Sequence, residues 1–296
     1  MNIPKTNSAL TPKSELPWSL KDAIIRLIFY YGLILVFLMT FQIGLSNLLS
    51  NSLDAQGIII VEATIIGIVG LVMTFVFLSF DDKKMSSIGF TYHDKYRILG
   101  IIGIITTAIA LTIAYAIEMS GGVVDSLDVL LKNRYFIENL SKPTELLNFS
   151  ALAFITFFGI AVGEEIMFRG YIQNVLESQT SFLKATFVAS ILFGFVHSFL
   201  NLPGNIDVVQ KMVAIGVSAT IFGFVFSYAY KITGRNLFLP IIIHGTWDSI
   251  IYFFKTNYHY TTVFNVLTEI FSQIVAAIVL VGLLYVTKRF IDIKKS

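Results

Sequence analysis

Eight long apolar runs limit what this chain can fold into more than any other feature. A helix needs about 20 predominantly apolar residues to cross the hydrocarbon core of a bilayer. Runs of that kind cover residues 24–49, 58–80, 98–119, 149–171, 182–200, 208–230, 237–254 and 263–287. In lipid the backbone must satisfy its own hydrogen bonds, so such runs read as helices. The expected fold class is therefore all-α: a polytopic membrane helix bundle with about eight transmembrane helices. Composition agrees. The chain is 55% hydrophobic and only 14% charged, whereas soluble domains carry about a quarter charged residues.

Lysine and arginine collect on the cytoplasmic side of membrane helices. With eight spans and an internal N-terminus, all but five of the 21 fall on alternate, inner segments, the exceptions being Lys132, Arg134, Lys142, Lys211 and Lys255. A wrong helix count would scramble this bias. The expectation is an integral, multi-pass protein of a bacterial cell membrane with cytoplasmic N- and C-termini, the bacterial part resting on high Ile, Phe, Lys and Asn content with no cysteine.

Residues 1–20 are polar, include Pro4, Pro12 and Pro17, and read as a short disordered cytoplasmic tail. Residues 21–146 form an N-terminal membrane region of three helices and an outer loop, and 255–296 a last helix with a basic tail. Ala23 to Leu49 is too long for the apolar core of a signal peptide and reads as a retained anchor. The outer loop, Gly121 to Asn148, mixes both charges and is expected to hold an amphipathic segment. A net charge of +2 gives no reason to expect a nucleic-acid partner; the expected partners are the bilayer and a peptide or membrane-protein substrate. Cysteine is absent, which excludes disulfides, thiolate ligands and a cysteine nucleophile.

Most charged residues lie near span ends, among them Glu62, Glu118, Lys211 and Glu269, and an interfacial position accounts for them. Three spans hold the exceptions: Glu164, Glu165 and Arg169 in "GEEIMFRG", His197 in "FGFVHS", and His244 with Asp248 in "HGTWDS". Ionisable residues inside membrane helices are costly and mark functional sites. Glu165 and Arg169 are four apart, so they share a helix face and can pair. Glu164 points about 100° away and is left for another partner. His244 and Asp248 are also four apart, so the carboxylate can hold one ring nitrogen. Glu164 and His197 stand at similar distances from the turn near Thr180 and Ser181, which brings them to one depth on consecutive antiparallel helices. Gly159 and Gly163 form a GxxxG pair that admits a close helix neighbour, and Ala219, Gly223 and Ser227 form a second small-residue stripe.

These residues carry a resemblance. "EEIMFRG" resembles the EExxxR signature of the CPBP intramembrane proteases, the family of type II CAAX prenyl endopeptidases and Abi-type proteins. That family's second motif, Phe-x-x-x-His, matches Phe193 to His197, and its third, His-x-x-x-Asn or Asp, matches His244 to Asp248. The similarity covers roughly Leu147 to Phe254, which makes 147–254 the expected catalytic core. It implies an eight-helix bundle with a polar cavity open to the cytosol, and hydrolysis of a peptide bond. Glu164 and His197 would bind and activate water, and His244 with its partner would stabilise the oxyanion. Glu165 and Arg169, with Phe193 beside them, would hold the geometry.

Zinc is the alternative cofactor. Glu164, His197 and His244 could supply the His₂Glu set of a catalytic zinc site, yet the HExxH spacing is absent. A buried glutamate can itself serve as base, and donors aimed at an oxyanion contribute several kcal/mol without metal. The metal-free reading is preferred. Asp248 departs from the asparagine that an oxyanion donor requires, since an ionised carboxylate only accepts hydrogen bonds. Two other classes compete: a secondary transporter, which usually shows internal repeats and broken helices, and a catalytically silent immunity or scaffold protein. Neither repeats nor a proline-broken helix surround these charges, and the motif residues are intact.

Overall fold

The structure, a computed structural model, describes residues 19–49, 55–91, 95–124, 150, 153–199, 206–254 and 262–293. Among these the chain folds into eight helical rods. They are α1 (Leu20–Leu49), α2 (Ala55–Ser79), α3 (Tyr96–Ser120), α4 (residues 156–179), α5 (Phe182–Phe199), α6 (Ile206–Ile232), α7 (Phe238–Phe254) and α8 (Val263–Ile293). A 3₁₀ turn, Met85–Ile88, lies between α2 and α3. Residues 1–18 of the expected disordered tail, the side chain of Glu62, and residues 125–148 of the loop assigned an amphipathic segment lie outside the described residues.

The chain is a helical membrane protein. Among the described residues, four stretches are long and apolar enough to cross a membrane: Leu20–Thr40, Tyr96–Ser120, Val209–Ile232 and Val263–Arg289. Three more helices are apolar but shorter, at Thr64–Ser79, Phe182–Ser198 and Phe238–Ile251. The expected run 149–171 becomes α4, which continues to Gln179 and carries four charged residues: Glu164, Glu165, Arg169 and Glu177.

Rod α4 is not a uniform α-helix. Thr156–Ala161 and Ile166–Ile172 are π-helical, and they flank a short α-helical stretch, Val162–Glu165. π-Segments appear mostly as single-turn insertions at functional sites. The turn after α6 has a local cause: Gly234 takes φ 72°, a left-handed value that suits glycine. Asn236 then caps α7, its Oδ1 accepting the Phe238 N–H at 2.8 Å.

Glycines set how closely α4 meets α2. A Cβ on Gly163 would lie 2.7 Å from the Gly67 Cα, and one on Gly70 only 2.6 Å from the Gly163 carbonyl oxygen. The GxxxG pair thus admits a neighbour, and that neighbour is α2, through its own Gly67 and Gly70. The α6 stripe behaves likewise: a Cβ on Gly223 would meet Ser190 of α5 at 2.7 Å. Gly163→Ala is expected to destabilise the protein by about 1–3 kcal/mol, the usual cost of overpacking. Gly32→Ala, in open space on α1, should be neutral or slightly stabilising. Thermal unfolding of both variants in detergent checks the contrast.

One expectation is corrected. Glu118 and Glu269 do not sit at the bundle's outer surface; they are 1% and 4% exposed. Glu118 accepts hydrogen bonds from Ser272 at 2.5 Å and from Gln273 at 2.8 Å, both on α8. Nearness to a span end says nothing about which face a side chain takes, and here the face is the helix–helix contact. Lys211 remains exposed.

Candidate active site

The two adjacent carboxylates end the α-helical stretch between the π-segments of α4, and both are buried, Glu165 fully. Arg169 Nη1 donates to Glu165 Oε1 at 2.9 Å, the pairing expected from their spacing. The guanidinium is also held between two rings, its Cζ 4.3 Å from the Phe193 centroid and 4.9 Å from that of Phe226. A cation over an aromatic face gains most where it is desolvated.

His197 comes from α5 and has its tautomer fixed locally. Its Nδ1 lies 2.8 Å from the Phe193 carbonyl oxygen, and because a carbonyl can only accept, Nδ1 carries the proton. Nε2 is then the nitrogen turned to Glu164, 3.5 Å from Oε2.

His244 comes from α7 and faces carboxylates at both nitrogens. Nδ1 is 2.8 Å from Glu165 Oε1. Nε2 lies 3.3 Å from Asp248 Oδ2 and 3.7 Å from Glu164 Oε2. Spacing in the sequence supplied one carboxylate for this ring, Asp248; the structure adds Glu165 on the opposite nitrogen. Glu165 therefore joins Arg169 to His244, a link no pattern within one helix could reveal. Phe226 stacks on the His244 ring at 4.7 Å with an interplanar angle of 15°. It is a site residue the sequence reading missed, because in "FGFVFSY" nothing separates it from its neighbours.

The site is buried except at two residues. The side chains of His197 and Asp248 are 22% and 21% exposed, while those of Glu164, Glu165, Arg169 and His244 are 5% or less. Glu164 Oε2, Glu165 Oε2 and Arg169 Nη2 are buried without a hydrogen-bond partner among the described residues. Such buried orphan atoms are rare and call for an explanation, catalysis being one. Among the described residues, no three His, Asp or Glu side chains are arranged to hold a metal ion.

Three motifs from α4, α5 and α7 thus meet at one carboxylate. Residues 146–250 match the family model described as type II CAAX prenyl endopeptidase, Rce1-like. No curated protein and no solved structure matches the chain. The Rce1-like segment runs from before α4 into α7, so it contains every residue of the site just described, while α1–α3 and α8 lie outside it. The matched family is one of proteases, in agreement with the resemblance carried by the motifs.

Proposed function

We propose that this protein is an intramembrane endopeptidase that hydrolyses a peptide bond of a membrane-associated protein or peptide. The observation that carries this reading is the convergence of His197 Nε2 and His244 Nε2 on Glu164 Oε2, at 3.5 and 3.7 Å.

The chemistry follows from the donors and acceptors present. A water molecule beside Glu164 and His197 gives one hydrogen to the carboxylate and the other to the Nε2 lone pair. Its oxygen lone pairs are then left for the substrate carbonyl. Glu164 takes the proton as the C–O bond forms and returns it to the amine as the C–N bond breaks, the usual division of labour for a general base and acid. His244, with carboxylates at both nitrogens, donates from Nε2 and is placed to stabilise the oxyanion. Asp248, 3.3 Å from Nε2, holds that hydrogen until the oxyanion forms and takes it over. Glu165 holds Nδ1 of His244, and Arg169 holds Glu165.

The substrate is a peptide or membrane protein reached from within or beside the bilayer. We place both termini in the cytoplasm on the distribution of lysine and arginine, and the membrane in a bacterial cell on the high Ile, Phe, Lys and Asn content and the absence of cysteine. The test is mass spectrometry of peptides released from membranes that contain the wild type or its Glu164→Gln variant. Peptides that appear only with the wild type are expected, and identical peptide sets would remove the proposal.

Asp248→Asn separates this mechanism from a zinc-dependent one. Asparagine is nearly isosteric and still bonds to His244, so the metal-free mechanism predicts a loss of less than about tenfold, or 1.4 kcal/mol. If Asp248 instead supported a metal-bound His244, metal affinity should fall by about 10–100-fold. Activity of both forms is compared with and without a strong zinc chelator, alongside elemental analysis. Stoichiometric zinc, with chelator-sensitive activity that collapses in Asp248→Asn, would overturn the metal-free mechanism.

A further inference from the structure

Directly beneath the catalytic charges, the hydrogen-bond register of α4 changes. The Gln173 N–H donates to the Phe168 carbonyl, five residues back. By the end of the rod the Thr180 N–H donates to Leu176, four residues back. A switch from i−5 to i−4 bonding skips one carbonyl, which then has no backbone donor. In a buried helix such an oxygen must find a side chain.

Asn174 stands at this switch. Its Nδ2 lies 2.6 Å from the Gly170 carbonyl oxygen and 3.1 Å from that of Arg169. The same nitrogen is 2.8 Å from the Tyr230 hydroxyl of α6. Tyr230 in turn donates to the Ile88 carbonyl at 3.1 Å, in the 3₁₀ turn after α2. All three residues are buried: Asn174 is 5% exposed, Tyr230 1% and Ile88 3%. A Cβ on Gly170 would meet the Ile88 side chain at 2.9 Å, so the 3₁₀ turn presses on α4 at the same level.

We infer that Asn174 is a positioning residue: it holds the π-register of Ile166–Ile172 and so sets the direction in which Glu164 and Glu165 point. Below the switch, Glu177 is tied to the turn after α6, its Oε1 accepting from Arg235 Nη2 at 2.5 Å. Without the Asn174 donors the skipped carbonyl is orphaned, and the rod regains a backbone partner for it by closing to the α-register. One residue of slip is about 100° of rotation. With Glu177 held, the turn falls on Glu164 and Glu165, which then leave His197 and His244. The clamp also gives a part of the chain outside the family-matched segment, the turn at Ile88, a role in the geometry of the site.

The catalytic half of this inference rests on the proposed protease activity; the register half does not. Three variants test it. Asn174→Leu keeps the size and removes both donors, and Asn174→Asp keeps the shape but can only accept. Asn174→Ser restores one donor to the carbonyl four residues back, a bond that helical serines commonly make. Two measurements are made on full-length protein in detergent: amide hydrogen exchange across 166–174 against that of α8, and kcat and KM on a peptide carrying the bond cut by the wild type.

Asn174→Leu and Asn174→Asp are expected to speed exchange at 166–174 by about tenfold or more with α8 unchanged, as a local opening does. kcat should fall on the order of 100-fold, the cost of misplaced groups, with KM within about threefold, and Asn174→Ser should recover most of the loss. Exchange that rises equally in α8 overturns the inference, since Asn174 then supports only general stability. So does local acceleration with unchanged kcat. If the wild type cleaves nothing, the protease reading fails alone, and the local or global pattern of exchange still decides the clamp.

Discussion

Glu164→Gln is expected to end peptide cleavage while the protein accumulates and folds like the wild type. Loss of a positioned general base costs typically about 10²–10⁴-fold in rate, enough to put residual turnover below detection by mass spectrometry. The structure explains why folding should be spared. Glu164 Oε2 has no hydrogen-bond partner among the described residues, and its two imidazole neighbours stand at 3.5 and 3.7 Å. Glutamine fills the same volume and removes a desolvated charge, so no strong contact is lost. Product formation per mole of folded protein and the unfolding temperature in detergent are the two readouts. Wild-type turnover would take Glu164 out of the chemistry, and a large drop in unfolding temperature would make it a structural residue.

Arg169→Ala should do the opposite and damage stability as well as activity. The Arg169–Glu165 pair is fully buried, at 2.9 Å, and breaking such a pair typically costs about 3–5 kcal/mol because one charge is left uncompensated. The guanidinium also fills the space between Phe193 and Phe226, so truncation opens a cavity between the rings that orient both histidines. Arg169→Lys should rescue little, since a point charge cannot reproduce a planar group that stacks and bonds together. Denaturant titration in detergent checks the size of the loss. An Arg169→Ala variant as stable as the wild type, yet inactive, would place Arg169 in direct contact with substrate.

The site was legible in the sequence to the extent that its residues are chemically out of place. Glu164, Glu165, Arg169, His197, His244 and Asp248 stand out because charge inside an apolar run is costly, and helix spacing predicted the Glu165–Arg169 and His244–Asp248 pairs. The Glu164–His197 contact followed from counting residues to the turn at Thr180. Partners from other helices were not legible. Phe226 is one phenylalanine among several, and Asn174 and Tyr230 look like ordinary span-end residues. Their importance comes from a π-register that no residue type announces. Glu118 and Glu269 failed as expectations for the same reason, since depth along a helix is written in the sequence and its rotation toward a neighbour much less so. The number of helices agreed with the apolar runs, and among the described residues four of the rods meet length and composition for a span.

The glycine contacts also decide how a substrate can approach. Where Gly67 and Gly70 of α2 meet Gly159 and Gly163 of α4, backbone touches backbone, and an acyl chain or a peptide strand has no gap to enter. The groove between α5 and α6 is shut in the same way, with Gly194 against Thr220 and Gly223 against Ser190. Gly245 of α7 is closed over by the Phe157 ring from α4. Among the described residues these three helix contacts are therefore closed to lateral traffic. His197 and Asp248 are the most open of the described site residues, at 22% and 21% exposure, so an incoming chain meets them before it meets the buried Glu164.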